Sequence, residues 1–592
     1  MTVTFLQTTA IADHSLHDVL ILGCWCLPEE SATIHDRLPV PIRFEKSAEY
    51  YREQRDYLYY STVRTLAGWL NEVHHVDRPE QYWELILFTF LEPYVSDFYI
   101  RSLILESAYQ RISEPCVLIL PESQYSVPVT ASDLSKRIKT SDRFNLQIFS
   151  QIATAAGMRV RRLSNVQASS YPAAIGPRRS LLRSAYALAH RLKRGLVSDS
   201  LMSPPADRSG GNQIALLPTH FSTAALRKLL QDEGLALSTP TFDGASLPES
   251  APDLNLRYTL ARFTFDSRLQ SRLVSSLVHN LPMDFVENFA HHLGAAKGCA
   301  LSRPSVIVAG FFAGLQSQIW AAEKQLEGSR LVLVQHGGHY GEGFFAPREV
   351  IERRLSDKFV TWGWAEEEDE NLPAPRLQPF HSAGSRGSKL LYVMRELSRL
   401  PNYRMLNGCS SEQPCGPLPE IKFFDSVAVE IRRRTVIRLR TDKRASVSIQ
   451  RVWARRYPEL KIDEGVRGIR YALAKARLVV VGYPCSTTFL ECLTQDIPVI
   501  VFAPCLRVTV RPDALLLYEQ LADVGIVQTE CAEMASLVEA IWNDPVEWWK
   551  EPGRREVREQ FKQRFAWAAD LDDTVGWWRS FLLRESKRRM PG

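Results

Sequence analysis

The sequence is poor in features that would place it outside ordinary soluble proteins. Only ten of its 592 residues are cysteine. They sit at irregular positions with no C-x-x-C pair, so no disulfide framework is expected and a reducing cytoplasm is the expected location. Long apolar runs are missing as well. The best, Val19–Leu27, is stopped at once by Pro28-Glu29-Glu30, far short of the ~18–20 residues a membrane helix requires. The opening MTVTFLQTTAIADHS lacks the positive region of a signal peptide. Any membrane association is therefore expected to be peripheral. A charge excess is lacking too: 72 Lys and Arg against 67 Asp and Glu leave +5, too little to mark a nucleic-acid binder by bulk charge. No Walker A, G-x-G-x-x-G, H-E-x-x-H, EF-hand or G-x-S-x-G pattern occurs. The pairs His74-His75 and His291-His292 are adjacent, a poor spacing for two ligands on one helix face. No metal and no resident cofactor are expected.

What is present is a chain long enough for several cores. Residues 1–210 read as an N-terminal strand, Thr4–Gln7, followed by a mainly helical, aromatic-rich region that Pro93 interrupts. The stretch SPPADRSGGN reads as an exposed loop. From residue 211 the texture alternates between short apolar runs and helical patterns. QIALLP, PSVIVAG, LVLVQHGG and DKFVTWGW are read as strands, with helices at Ser222–Glu233 and Gln316–Leu326. The Pro-, Gly- and Ser-rich stretch Pro373–Ser388 is the best linker, and the alternation restarts after it with KLLYVM, RTVIRLR, RLVVVG, IPVIVF and GIV. Residues 545–592 read as terminal helices with an apolar face. Such alternation implies parallel sheets covered on both sides. The expected organisation is an α/β protein with two Rossmann-like domains, residues 211–372 and 389–544, joined by 373–388 and facing across a cleft.

Three features could carry chemistry. The first is LVLVQHGGHYG, where a buried strand delivers Gln335 and His336 at its carboxyl end, the place where ligands sit in open α/β sheets. Gly337 and Gly338 allow close backbone approach. His336 can act as a general acid or base, or can be a histidine bonded to backbone in a turn. His339, Tyr340 and Gly341 are its neighbours. The second is the turn Gly482-Tyr483-Pro484-Cys485-Ser486-Thr487-Thr488, which opens a helix. Its hydroxyls can cap that helix or, with the free N–H groups and dipole, hold an anion. Glu491, one turn on, could face a sugar hydroxyl or solvent. The third is Arg438 near the end of a strand, able to pair with phosphate or to sit at a surface strand end, with Arg440 two residues on. The runs Glu366–Glu370 and IRRRT are expected to be solvated faces.

QHGGHYG followed by SDKFVTWGW, and then YPCSTTFLECLTQDIPVIVF, resembles a family of transferases found among bacterial surface-carbohydrate biosynthesis genes. YLYYSTVRTLAGWLNEVHHV, QYWELILFTFLEPYVSDFYIR and SDRFNLQIF are similar to its N-terminal elements, while PYVSDFYIR stands where a Gly-Pro-Trp-like segment belongs. The resemblance implies a GT-B-like glycosyltransferase, related to transferases using CMP-ulosonic acids and to CDP-polyol phosphotransferases. It implies that the second domain holds a nucleotide-sugar donor, with a CMP-linked acidic sugar favoured, and that the first presents a glycan or lipid-linked acceptor. Ser486, Thr487, Thr488 and Arg438 would hold the donor phosphate, Gln335, Gly337, Gly338, Tyr340 and Gly341 would support the catalytic loop, and His336 would deprotonate the acceptor or contact the phosphate. The rival readings are a CDP-polyol phosphotransferase and a non-catalytic scaffold of a polysaccharide-assembly complex. No feature of the sequence fixes an oligomeric state.

Overall fold

The structure is a computed structural model that describes residues 3–11, 15–26, 45–164, 213–217, 236–242, 247–301, 303–366, 371–376, 387–395, 400–402, 404–405, 418–439, 453–463, 465 and 467–587. The loop SPPADRSGGN, the expected helix Ser222–Glu233 and Arg440 lie outside them, as do residues 377–386 of the expected linker.

Three parallel sheets organise the chain. The first contains β1 (Thr4–Gln7), β2 (Val19–Ile21), β3 (Pro115–Ile119) and β4 (Val160–Arg162) in the order β2-β1-β3-β4. Sequence reading expected a single strand here. β2 and β4 are three residues long, too short for periodicity to show, whereas β3, PCVLI, carries an apolar run like those read elsewhere and was passed over. Two long helices, Ala48–His74 and Glu80–Arg111, pack on each other, and the helix Asp142–Ala155 packs on β3. Ser47 caps the first by accepting from Tyr50 N–H, and His75 closes it in the left-handed conformation.

Pro93 was expected to interrupt the second helix, but lies inside it. Proline inside a helix costs ~3 kcal/mol or more. Trp83, Leu87, Leu91, Tyr94, Phe98 and Ile104 are all fully or almost fully buried along the same helix. At ~1.5–3 kcal/mol for each large apolar side chain, that burial outweighs the break.

The second sheet holds β5 (Gln213–Leu216), β6 (Ala236–Ser238), β7 (Val306–Ala309), β8 (Arg330–Val334), β9 (Lys358–Thr361) and β10 (Asn371–Pro373), ordered β10-β9-β8-β7-β5-β6. The third holds β11 (Lys389–Val393), β12 (Thr435–Arg438), β13 (Lys461–Asp463), β14 (Ala476–Val481), β15 (Val499–Phe502) and β16 (Val527–Gln528), ordered β13-β12-β11-β14-β15-β16. This last order is the Rossmann order 3-2-1-4-5-6, whose reversal falls between β11 and β14. The central strands VIVA and VIVF are buried at every position, as strands covered on both faces must be. The expected two Rossmann-like units are present.

The chain passes between these units twice. Pro373 ends β10, and Ala374 and Arg376 behind it are buried, so the start of the expected linker is built into the fold. The return passes Trp567, whose N–H donates to Trp362 O (2.9 Å) and whose carbonyl accepts from Arg376 N–H (3.0 Å). The helix Leu571–Lys587 then lies on the second sheet, with Trp578, Phe581 and Leu582 against Ile214, Val306, Val332 and Val360. Glu585 pairs with Arg330 at 3.0 Å, and Trp578 Nε1 donates to Pro375 O. Among the described residues no helix is long and apolar enough to cross a membrane.

Trp578 is 1% exposed. Trp578→Ala is therefore expected to cost about 3–5 kcal/mol, read as a lowered denaturation midpoint with unchanged far-ultraviolet dichroism before unfolding.

Candidate functional site

The loops that leave β8 and β14 meet. Gly338 N–H donates to Thr487 Oγ1 at 2.7 Å. A Cβ added at Gly338 would lie 2.6 Å from Thr487 N and 2.8 Å from Cys485 O, distances no side chain tolerates. Glycine is needed here because one backbone lies directly on another. His336 and the Ser486–Thr488 turn thus belong to one region where the carboxyl ends of the two sheets face each other.

The β8 loop is fixed from below by Gln335. Its Nε2 donates to Gly337 O (2.9 Å), and its Oε1 accepts from Trp362 N–H and from Trp364 Nε1–H, each at 2.9 Å. The QHGG and TWGW elements are therefore one hydrogen-bonded unit. Tyr340 Oη lies 3.1 Å from Nδ1 and 3.3 Å from Nε2 of His336, and donates to Glu352 Oε2 at 2.8 Å. Burial pushes the Tyr340 phenol well above its usual range, so it stays a donor. Arg348 holds the other oxygen of Glu352 at 2.9 Å. Desolvation raises the Glu352 carboxyl, and Arg348 opposes it. Glu352 Oε2 lies 3.9 Å from Nδ1 of His336. Gly341, in the left-handed conformation, donates to Glu349 Oε2 at 2.7 Å, and a Cβ there would strike Trp364.

On the β14 side, Ser486 is the residue before the helix Thr487–Thr494, yet its hydroxyl caps no helix N–H. Its Oγ is buried and has no hydrogen-bond partner among the described residues. An unpaired buried hydroxyl is costly and points to a group that the described residues do not supply. Thr487 Oγ1 accepts from Gly338 and keeps its own proton to donate. Thr488 is half-buried one position further on. Glu491 is buried rather than on the surface, its carboxyl raised by desolvation and pulled back by Arg376 and Arg470. Arg438 is not brought to this turn: β11 separates its strand from β14, and its guanidinium is bonded to Asp463 Oδ2 (2.6 Å) and Arg467 O (2.7 Å).

Several residues that sequence reading passed over tie the two loops together. Arg511 pairs with Glu349 (3.0 Å) and Glu366 (2.9 Å), so the first residue of the expected solvated run Glu366–Glu370 is instead a docking contact. Residues 367–370 lie outside the described residues. Phe344 N–H donates to Thr509 O (2.9 Å), and Arg511 N–H to Glu342 O (2.9 Å). Glu342, within GEG, is fully buried and accepts from Tyr518 Oη at 2.6 Å. An acid between two glycines at a strand tip was the available signal. Among the described residues no group of three or more His, Cys, Asp and Glu could hold a metal ion.

Two Rossmann-like units docked through their strand-tip loops form a GT-B-like scaffold. The particular assignment follows from the sequence, which matches the family described as LIC12162 family transferase over residues 4–582; the chain belongs to that family. No curated protein matches the chain. Similar solved structures include the UDP-GlcNAc 2-epimerase of Methanocaldococcus jannaschii, 13% identical with a TM-score of 0.33, covering 59% of this chain and 99% of that one. A variant of the wall teichoic acid polymerase TagF is 10% identical at a TM-score of 0.33, covering 69% and 97%. MurG of Acinetobacter baumannii is 12% identical at 0.27, covering 63% and 99%.

His339 supplies a pH test of this loop. Its Nε2 faces Phe345 O at 2.8 Å, and burial lowers the ring to about 4 from an ordinary value of 6.5. A depressed histidine stabilises the fold above 6.5, and that contribution is lost as pH falls towards 4, because the unfolded chain binds the proton first. The stability advantage of wild type over His339→Asn, a residue that tolerates the same left-handed backbone, is expected to narrow across that window. A gap constant from pH 7.5 to 4.5 would show that His339 does not titrate there.

Proposed function

We propose that this transferase moves a glycosyl group from a nucleotide-activated sugar to a glycan or lipid-linked acceptor hydroxyl in bacterial surface-carbohydrate assembly. The reading rests on one observation above all: the Gly338–Thr487 hydrogen bond, which seats the imidazole loop on the hydroxyl turn. The donor phosphate would take the Ser486 hydroxyl, the Thr487 and Thr488 hydroxyls and the first N–H groups of the helix, which also offers its positive dipole end. His336 would accept the proton of the acceptor hydroxyl as that oxygen bonds to the anomeric carbon. The bond from the anomeric carbon to the phosphate oxygen would break, and its electron pair would leave on the nucleotide. The negative charge that develops there is what preorganised hydroxyl and N–H donors stabilise. Tyr340, itself held by Glu352, would orient the imidazole.

Thermal shifts with CMP, CDP, UDP and GDP test the donor site. A ligand that binds only the folded chain stabilises it by about 2.7 kcal/mol at a hundredfold excess over Kd. Ser486→Ala should weaken the preferred nucleotide by about 10- to 150-fold, since a hydrogen bond to a charged group contributes about 1.5–3 kcal/mol. His336→Ala should leave that affinity nearly unchanged and cut turnover by about 10²–10⁴. Absence of any shift across the four nucleotides would refute the donor site, and normal turnover in His336→Ala would refute its catalytic role.

A further inference from the structure

The donor turn does not hold its own shape. Cys485, immediately before Ser486, is a non-glycine residue at φ 56°, a conformation that costs an ordinary L-residue free energy and persists only when its surroundings enforce it. The enforcing contact comes from outside the turn. Cys485 N–H donates to Tyr518 Oη at 2.8 Å, and Tyr518 O–H donates in turn to Glu342 Oε2 at 2.6 Å. Tyr518 lies on the helix Pro512–Asp523 of the second Rossmann-like unit, whereas Glu342 belongs to the loop after β8 in the first. All three residues are buried. Tyr518 is further wedged edge-on against Phe561, ring centres 5.0 Å apart. The hydroxyl has one proton to give, so its orientation towards Glu342 leaves a lone pair for Cys485 N–H.

We propose that Glu342 is a positioning residue for the donor-phosphate turn, acting across the interface through Tyr518 to fix Cys485 and so aim the Ser486 hydroxyl. The assignment deepens the proposed donor site and depends on it. It also gives docking of the two units a chemical consequence: the turn has its binding geometry only while the acceptor-side loop is in place. By linkage, a ligand on the turn then strengthens the docking by the same factor. Two observations support a role beyond packing. Glu342 is fully buried where the two units meet, a costly place for a carboxyl that only fills space. Burial, opposed by hydrogen bonds from Tyr518 and the His339 backbone and by Arg511, holds the carboxyl up to about 7.

Two measurements on the full chain test this. The first, hydrogen exchange of the ligand-free protein, reads the peptide spanning Gly482–Leu490. Tyr518→Phe and Glu342→Ala should raise its exchange rate at least tenfold, while Glu342→Gln, whose amide oxygen still accepts from Tyr518, should stay within threefold of wild type. The second is calorimetry with the best of the nucleotides CMP, CDP, UDP and GDP. The same two variants should lose at least tenfold in affinity, Glu342→Gln should restore it to within threefold, and the combined Tyr518→Phe, Glu342→Ala variant should lose no more than the worse single one. Unchanged exchange in both single variants overturns the positioning role, as does faster exchange with undiminished affinity, which leaves the donor site standing. A wild-type chain that binds none of the four nucleotides overturns the donor reading itself, and the positioning role falls with it.

Discussion

A single backbone N–H, that of Gly338, reaching a threonine hydroxyl on another α/β unit is the contact on which the candidate site depends. It joins the loop carrying His336 to the turn carrying Ser486, and it forms only because position 338 has no side chain. Around it the units are fastened by the Arg511 pairs with Glu349 and Glu366 and by the strand-like pairing of Gly343 with Val510. Arg511 is only 16% exposed, so these ion pairs are less screened by solvent than surface pairs. Truncating one partner would leave a buried charge behind. The charged groups therefore favour one relative placement of the two units, and the Gly338 bond reports that it has been reached.

Much of the fold was legible because burial on both faces writes itself into sequence. VIVAG, LVLVQHGG, VVVG and VIVF are unbroken apolar runs closed by a turn or a polar residue, and each is a strand where it was read. The N-terminal sheet was not legible. Beyond β1, which was read, β2 is three residues long and β4, Val-Arg-Arg, is polar along an exposed edge, while the apolar run of β3 was passed over. Periodicity has nothing to act on in three residues. Pro93 misled for a related reason: local propensity predicts a break, and only the burial of the surrounding side chains, a tertiary fact, overrides it.

At the site, the residues read as strand-tip loops are strand-tip loops, and glycine and hydroxyl content sufficed to find them. Their partners could not be found the same way. Tyr518 is 176 positions from Glu342, and Arg511 is 162 from Glu349. Nothing local in SDKFVTWGW says that its tryptophans hold Gln335. Arg438 shows the converse limit. A basic residue at a strand end has the chemistry to bind phosphate, but an acid on the neighbouring strand, Asp463, satisfies it first, and that pairing is visible only once the strands are aligned.

The helix that ends the described chain has a consequence for biogenesis. Trp578 lies against the sheet beside Pro375, 203 residues upstream. While the ribosome is still making the intervening stretch, Ile214, Val306, Val332 and Val360 lack the side chains of Trp578, Phe581 and Leu582 that pack on them in the finished fold. Nascent chains in that state offer chaperones and other nascent chains a bare aliphatic plane. Burial of that aliphatic face by Trp578, Phe581 and Leu582 therefore awaits a helix synthesised after the whole of the second unit.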